Sequence, residues 1–396
     1  MRSEASTDLP RPVWLLGWAS LFTDAATEMI YPLLPVYLSR VLGAGAVSLG
    51  IIEGVAEGVN SVLKILSGRL SDRWSRRKPI VIAGYALSSV ARPFIAVTSG
   101  WMQVLAIRAL DRTGKGIRGA PRDAMLASLA TPTTRGRVYG FHRAMDHAGA
   151  VVGPLIATAF LFAWPGEYRT LFALTIIPGA LAVWMLFKVP EHARANPNPR
   201  ISNPNDAPTT PLRRGLPPRL WAVLTIILVF SLGNSADAFL LLRLSSALGH
   251  DAYLPLLWSS LHVVKASLSM YGGGLSDRVG RKAVIVAGWC IYAVVYAGFA
   301  TADSAAWLVA WFLAYGLYFG LAEGTEKALV ADLAPADRIG AAFGFYNAAL
   351  GVGALLASIL FGVVYERFGH SVAFSMGALL AALAAVLLLL VKTDKT

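Results

Sequence analysis

The stretch Gly68-Arg-Leu-Ser-Asp-Arg-Trp-Ser-Arg-Arg-Lys78 returns in the second half of the chain as Gly274-Leu-Ser-Asp-Arg-Val-Gly-Arg-Lys282, each time between two long apolar runs. One chain therefore holds two copies of one unit. The likeness extends past the loop. Arg122-Asp-Ala-Met-Leu-Ala-Ser-Leu-Ala130 matches Glu326-Lys-Ala-Leu-Val-Ala-Asp-Leu-Ala334, and Gly136 and Gly140-Phe141 match Gly340 and Gly344-Phe345 at the same offset. Two parallel repeats around a midplane cavity are how many secondary transporters are built.

Of the 396 residues, 56% are hydrophobic and only 15% charged, with a mean hydropathy of +0.58. That composition belongs to a polytopic membrane protein, not to a soluble domain. A bilayer crossing takes roughly 20 residues. Twelve runs qualify, near 13–39, 46–68, 79–99, 102–127, 138–163, 170–188, 219–242, 254–275, 283–302, 305–331, 339–364 and 371–391. A net charge of +12 invites a nucleic-acid reading, but the placement of the charge argues against it. Arg73, Arg76, Arg77 and Lys78, then Arg135 and Arg137, then Arg213, Arg214 and Arg219, then Arg278, Arg281 and Lys282 fall in every second loop. This is the positive-inside pattern, and it predicts that both termini are cytoplasmic. Arg40 and Arg367 are the exceptions.

The single cysteine, Cys290, allows no disulfide framework or cysteine metal site within one chain. The polar start, Met1 to Pro12, leads into a span carrying acids and does not read as a cleavable signal peptide. Between 189 and 218 the chain is rich in Pro, Asn and Arg and cannot bury enough apolar surface to pack. The expected organisation is an N-terminal six-helix bundle at 1–188, a cytoplasmic linker at 189–218 and a C-terminal six-helix bundle at 219–396.

Charges inside the spans carry the functional signal. Span four holds Arg108, Asp111, Arg112, Lys115, Arg118 and Arg122, spaced three or four apart. On a helix these form one face about 21 Å long. Each cation would cost roughly 2.5 to 3.5 kcal/mol near the bilayer centre, so the stripe must face protein or a water-filled cavity. Arg108, Arg112 and Lys115 are read as substrate-binding. Arg118 and Arg122 are read as either functional or simply paired near the interface. Span two carries Glu53, Glu57, Asn60, Ser61 and Lys64 on one face. Its two acids, one turn apart, suit proton exchange, although Glu53 could equally sit at the outer mouth. Asp24 and Glu28 stand one turn apart in span one. A mid-span carboxylate without an adjacent base is costly unless protonated or paired. Asp24 is therefore the leading proton carrier, with a static salt bridge to the span-four stripe as its rival; Glu28 and Glu57 complete the proton-coupling set.

Span five begins with His142, Arg143, Asp146 and His147, of which Asp146 is a substrate-site candidate. In the second half Asn234 and Asp237 lie in span seven, His262, Lys265 and Ser269 share a face of span eight, and Glu323, Glu326 and Lys327 lie in span ten. Lys64, Lys265 and Glu323 join the substrate set. The repeat sets Arg122 opposite Glu326 and Asp123 opposite Lys327 with charges exchanged, which predicts cross-half ion pairs closing one end of a cavity. In the repeated loop, Asp72 can cap a neighbouring helix N-terminus while Arg73, Arg76 and Arg77 reach acids or helix C-termini. Gly68, Asp72 and these arginines, with Asp277 and Arg278 in the second copy, are read as a conformational latch.

The first loop resembles the loop 2-3 motif of the major facilitator superfamily, and the second resembles its weaker echo in loop 8-9. Gly149-Ala-Val-Val-Gly153-Pro154 looks like the Gly-x-x-x-Gly-Pro motif associated with antiporters of that superfamily, but Ile156-Ala157 replace its usual following Gly-Gly. Physically, Gly149 and Gly153 permit close helix approach and Pro154 removes one backbone hydrogen bond, so packing and gating are both open readings. Together with Pro32-Leu-Leu-Pro35, these motifs resemble the twelve-span drug:proton antiporter branch. The resemblance implies an all-α major facilitator fold of two pseudo-symmetric bundles, alternating access and no enzymatic activity.

The combined expectation is a proton-coupled secondary transporter in the plasma membrane, a bacterial inner membrane, working as a monomer without cofactor. Its partners are protons, the lipid bilayer and a small organic solute, anionic or zwitterionic because a lipophilic cation would not require so many interior arginines and lysines. Export is favoured over import of a metabolite or siderophore-like compound, and a non-transporting receptor ranks last. No phosphate loop supports an ATP-driven or enzymatic reading, since Gly114-Lys115-Gly116 lacks the spacing of a Walker loop.

Overall fold

A computed structural model describes residues 9–73, 77–129, 135–190, 216–335 and 339–391. Among these residues the regular structure is helical, with no strand. A chain in hydrocarbon must satisfy its backbone hydrogen bonds internally, and helices do so within each segment. Most of the predicted linker, 191–215, lies outside the described residues.

The helices make twelve rods of membrane-spanning length. Span one is Arg11–Glu28, prolonged by short turns at Tyr31–Leu33, Leu34–Val36 and Tyr37–Val41. Pro32 and Pro35 lack the amide hydrogen that would continue a regular helix there. Span two is Ala46–Arg73, span three Lys78–Ala91 with a tight turn over Arg92–Val97, span four Trp101–Leu129, and span five Arg135–Ala163. Span six runs through Tyr168–Leu174 and Ile176–Phe187, and span seven through Pro218–Gly233 and Ala238–Ala247. Spans eight, nine and ten are Tyr253–Val279, Arg281–Thr301 and Ala305–Leu333. The final helical run, Ile339–Leu390, breaks at Gly369, whose φ of 86° separates span eleven from span twelve. Gly280, at φ 95°, makes the corresponding sharp turn between spans eight and nine, a left-handed conformation open to glycine at little steric cost.

Among the described residues, eight helical stretches are long and apolar enough to cross a bilayer, the last of them, Ala342–Leu390, holding both final spans. Spans one, four and eight fall short of that standard. They are the spans with Asp24 and Glu28, with the cation stripe, and with His262 and Lys265 in their midst. What weakens their apolar signal is what lines the centre of the molecule. The lipid-facing side carries exposed apolar residues such as Phe94, Val97, Trp307 and Leu379.

Described chain begins and ends on one face, here the terminal face, which also carries the turns between spans two and three, four and five, eight and nine, and ten and eleven; the opposite side is the far face. Spans two and eleven meet across the halves, as do spans five and eight. At the first seam a Cβ on Gly54 would stand 2.9 Å from the carbonyl oxygen of Leu355, and one on Gly362 2.7 Å from that of Ala46. Small residues there let the backbones of the two halves touch.

Candidate functional site: a charged cavity between the halves

Two connected lobes lie between the bundles. One, of about 580 Å³, opens toward the terminal face and is bordered by Asp24, Lys64, Lys115, Arg122, Asp146 and Glu323 among others. The second, of about 320 Å³, lies deeper against Tyr31, Glu57, Arg112, Asn234, Asp237 and Trp258. Glu28, Lys115, His262, Lys265 and Phe319 line both. The two helix breaks reach this centre: the irregular end of span one supplies Glu28 and Tyr31, and the Asn234–Asp237 interruption of span seven supplies its own polar groups. Discontinuous helices at the midplane are a recurring way to present polar groups to a transported solute.

The charges divide into those with a protein partner and those facing the cavity. Arg108 belongs to the first group, which corrects its assignment as a substrate residue. It is buried, donates to Glu53 at 2.7 Å, lies 3.8 Å from Asp111 and sits over the Tyr31 ring at 5.6 Å. Glu53 is accordingly buried in that pair and does not stand at an outer mouth. Arg92 completes the cluster, donating to Asp111 at 2.9 Å and to the Thr23 carbonyl at 3.2 Å. Sequence reading passed over Arg92, a lone cation beside Pro93. Its signal was the excess acid Asp111 in a span otherwise rich in cations.

Arg112, Lys115 and Lys64 make no ion pair or hydrogen bond among the described residues. Arg118 lines the larger lobe, held by Ser88 at 3.0 Å and by the face of Tyr85 at 4.2 Å. Asp24 faces the same lobe without a hydrogen-bond or ion-pair partner among the described residues, so the static salt bridge to span four is not formed. Glu28 accepts from the Trp258 indole at 2.7 Å across the halves, and Glu57 accepts from Asn60 at 3.2 Å. Asp146 is hydrogen-bonded by Ser20 and lies 3.5 Å from His142.

In the C-terminal half Lys265 lies 3.3 Å from Asp237 and 3.5 Å from the centre of the Phe319 ring. Tyr315 donates to the other Asp237 oxygen at 2.8 Å, so Asp237 fixes where the ammonium stands. The aromatic lining, Tyr31, Trp258 and Phe319, carried no sequence signal that separates it from ordinary core.

The predicted pairing of Arg122 with Glu326 is not formed. Glu326 is buried within its own half, accepting from Trp289 at 2.9 Å and Tyr346 at 3.3 Å, while Arg122 reaches Asp123 and Ser20. Repeat alignment equates positions along two helices, but each helix packs its face into its own bundle. Asp123 and Lys327 are likewise apart, Lys327 lying 3.2 Å from Glu323. The ion pair that does cross this end joins Arg143 to Glu323 at 3.8 Å.

In span five, Gly149 and Gly153 pack on span one: a Cβ on Gly149 would meet the Asp24 Cβ at 3.1 Å, and one on Gly153 the Ala25 Cα at 2.8 Å. Pro154 is buried in mid-helix. Gly68, Asp72 and Arg73 fall in the last turns of span two and Asp277 in those of span eight; their side chains, and all of Arg76, lie outside the described residues. Arg278 is exposed. Arg77 donates to the Ala124 carbonyl at 3.2 Å. The following lysines make matched contacts: Lys78 donates to the Phe187 carbonyl at the end of span six, and Lys282 to those of Leu389 and Val391 at the end of span twelve. The expectation for this loop concerned Arg73, Arg76 and Arg77; the contacts with helix C-termini described here are made instead by the lysines that follow.

Comparison with known proteins gives this geometry a family. The Major Facilitator Superfamily profile matches residues 16–264 and 256–396. An MFS-type transporter of Methanocaldococcus jannaschii is 31% identical over 98% of this chain and 97% of its own. The multidrug resistance protein MdtH of Photorhabdus laumondii is 32% identical over 34% of this chain and 33% of its own. Among solved structures, a D-xylose-proton symporter superposes with a TM-score of 0.77 at 16% identity, covering 98% of this chain and 99% of that one. The nucleoside transporter NupG does so at 0.76 and 14% identity, covering 96% and 98%. With twelve spans, two repeated six-helix halves and a polar cavity between them, the chain belongs to the major facilitator superfamily of transporters, and it is not an enzyme.

Proposed function

We propose that this transporter exports a small organic anion or zwitterion in exchange for protons across the plasma membrane. The observation that carries the reading is that Arg112, Lys115 and Lys64 line the cavity without an ion pair among the described residues, while the neighbouring Arg108 is salt-bridged to Glu53 and Asp111. Arg112 is buried and Lys115 half-buried, and such a cation without an ion pair is expensive unless a ligand or water supplies the counter-charge; Lys64, which is exposed, adds its charge to the lobe it shares with Lys115. Asp24, Glu28 and Glu57 line the same space, so acids able to carry protons lie next to the cations that would hold the solute's anionic group. The positive-inside pattern of the basic loops supports a cytoplasmic terminal face, and on that reading the described state is inward-facing and able to load from the cell interior. Export draws support from the Gly-x-x-x-Gly-Pro segment and from the partial likeness to MdtH proteins.

Thermal stabilisation of the purified protein by a chemical library tests the solute class. Carboxylate- or phosphate-bearing compounds should raise the melting temperature, and Arg112→Ala should remove that shift. Stabilisation by neutral lipophilic compounds alone, undiminished in Arg112→Ala, would overturn the reading. Proteoliposomes with an imposed pH gradient then separate exchange from co-transport by the direction in which solute accumulates.

A further inference from the structure

Arg40 breaks the positive-inside pattern, and the structure shows where its charge goes. It stands at the end of span one on the far face, half exposed, and both Asp251 carboxylate oxygens accept from it at 2.8 Å. The Ser245 carbonyl accepts from the same guanidinium, also at 2.8 Å. Both acceptors belong to the other half, Ser245 at the end of span seven and Asp251 in the turn between spans seven and eight. The Tyr168 hydroxyl, at the start of span six, also donates to Asp251. One carboxylate of the C-terminal half is thus gripped by two groups from different helices of the N-terminal half. The rest of the turn follows it. His250 stacks on Phe162 of span five at 5.3 Å, Tyr253 meets the same ring edge-on at 5.8 Å, and the Ala252 carbonyl accepts from Thr158 at 3.4 Å. At the pseudo-equivalent turn between spans one and two, Glu366 of span eleven accepts from the Val47 amide at 2.8 Å.

We propose that the turn 248–252 is a clasp that holds the far face shut, with Asp251 as its keystone and Arg40 and Tyr168 as the two groups that retain it. When the halves rock apart on the far face, every one of these contacts crosses the parting line and must break. Contacts made in only one of two states shift the equilibrium by their full worth. A carboxylate that accepts from one guanidinium nitrogen through both oxygens and from a tyrosine hydroxyl, while the second guanidinium nitrogen is held by a carbonyl, is a stronger device than a single surface pair. The clasp concerns only which face is open, so it stands or falls independently of solute and coupling ion.

Spin labels at Val97→Cys and Thr301→Cys, exposed far-face positions at the ends of spans three and nine, report the opening when Cys290 is replaced by Ser. The full chain in nanodiscs should give a short far-face distance. Asp251→Asn and Arg40→Ala should each add a longer-distance population, shifting the closed-to-open ratio on the order of fivefold. Tyr168→Phe should move it the same way by less, and the exchange Arg40→Asp with Asp251→Arg should move it back. Unchanged distances in Asp251→Asn and Arg40→Ala would overturn the clasp, as would an exchange no more closed than the single variants. If Asp251→Asn fails to fold, Tyr168→Phe decides: an unchanged distribution there overturns the role of Asp251.

Discussion

Two arginines one helical turn apart on span four have opposite fates, and the difference is measurable. Arg108 is sealed against Glu53 and Asp111, whereas Arg112 borders the cavity and lacks an ion pair among the described residues. Removing one partner of a buried pair leaves an uncompensated charge, typically a loss of about 3 to 5 kcal/mol. Arg108→Ala should therefore lower the melting temperature strongly, with partial recovery in Arg108→Ala combined with Glu53→Gln. Arg112→Ala should melt within a few degrees of the parent and lose solute-induced stabilisation. Melting curves of the four proteins in one detergent check both outcomes; an Arg112→Ala protein as unstable as Arg108→Ala would place Arg112 in the scaffold. For Asp24 the expected outcome concerns coupling: Asp24→Asn should still bind solute yet fail to accumulate it against a proton gradient in proteoliposomes. Accumulation at the parent level would remove Asp24 from the proton path.

At the scale of the element, helical periodicity found the charged faces but not their depth. Spacing of three and four put Arg108, Arg112 and Lys115 on one stripe, which they do share as a helix face. Which member is neutralised depends on Glu53 from span two and Arg92 from span three, and no local pattern reports a tertiary partner. In the loop motif the sequence pointed to arginines, whereas the contacts at helix C-termini are made by Lys78 and Lys282 with carbonyls of spans six and twelve, partners more than a hundred residues away that no local pattern reports. The small residues of span five were legible as a packing signal, and the structure gives them a partner, span one. Gly153 packs its bare Cα against Ala25, and Gly149 lies beside the Cβ of Asp24. Overpacking of such a seam costs about 1 to 3 kcal/mol. Gly153→Val should lower the melting temperature accordingly, and because it displaces the helix that carries Asp24 it should also slow transport in the molecules that remain folded. Pro154→Ala adds no bulk and should leave the melting temperature nearly unchanged. Equal destabilisation by the two substitutions would mean that the proline bend, not the close approach, holds this seam.

For the whole molecule, the sequence repeat correctly announced two similar bundles but misplaced the bond between them. Glu326 aligns with Arg122, yet Trp289 and Tyr346 draw it into its own half. What faces the N-terminal half from span ten is Glu323, one helical turn earlier, and what meets it is Arg143 of span five. Both side chains are solvent-exposed, at 61% and 43%, so the pair contributes little to folding. Its interest lies in position, because it crosses the terminal-face mouth of the cavity in the state where that face is open, and it would shorten if the halves close there. Charge reversal offers the sharpest test. Arg143→Glu should set like charges across the mouth and slow transport, Glu323→Arg should do the same, and the exchanged double variant should recover a substantial part of the rate while the melting temperature stays near that of the parent throughout. The same reversals at Arg122 and Glu326 should behave differently: Glu326→Arg buries a cation between Trp289 and Tyr346 and should destabilise the C-terminal bundle, and adding Arg122→Glu should not repair it. Solute flux and melting temperature measured on both sets distinguish a pair that works between the halves from one that exists only in the alignment of the repeats.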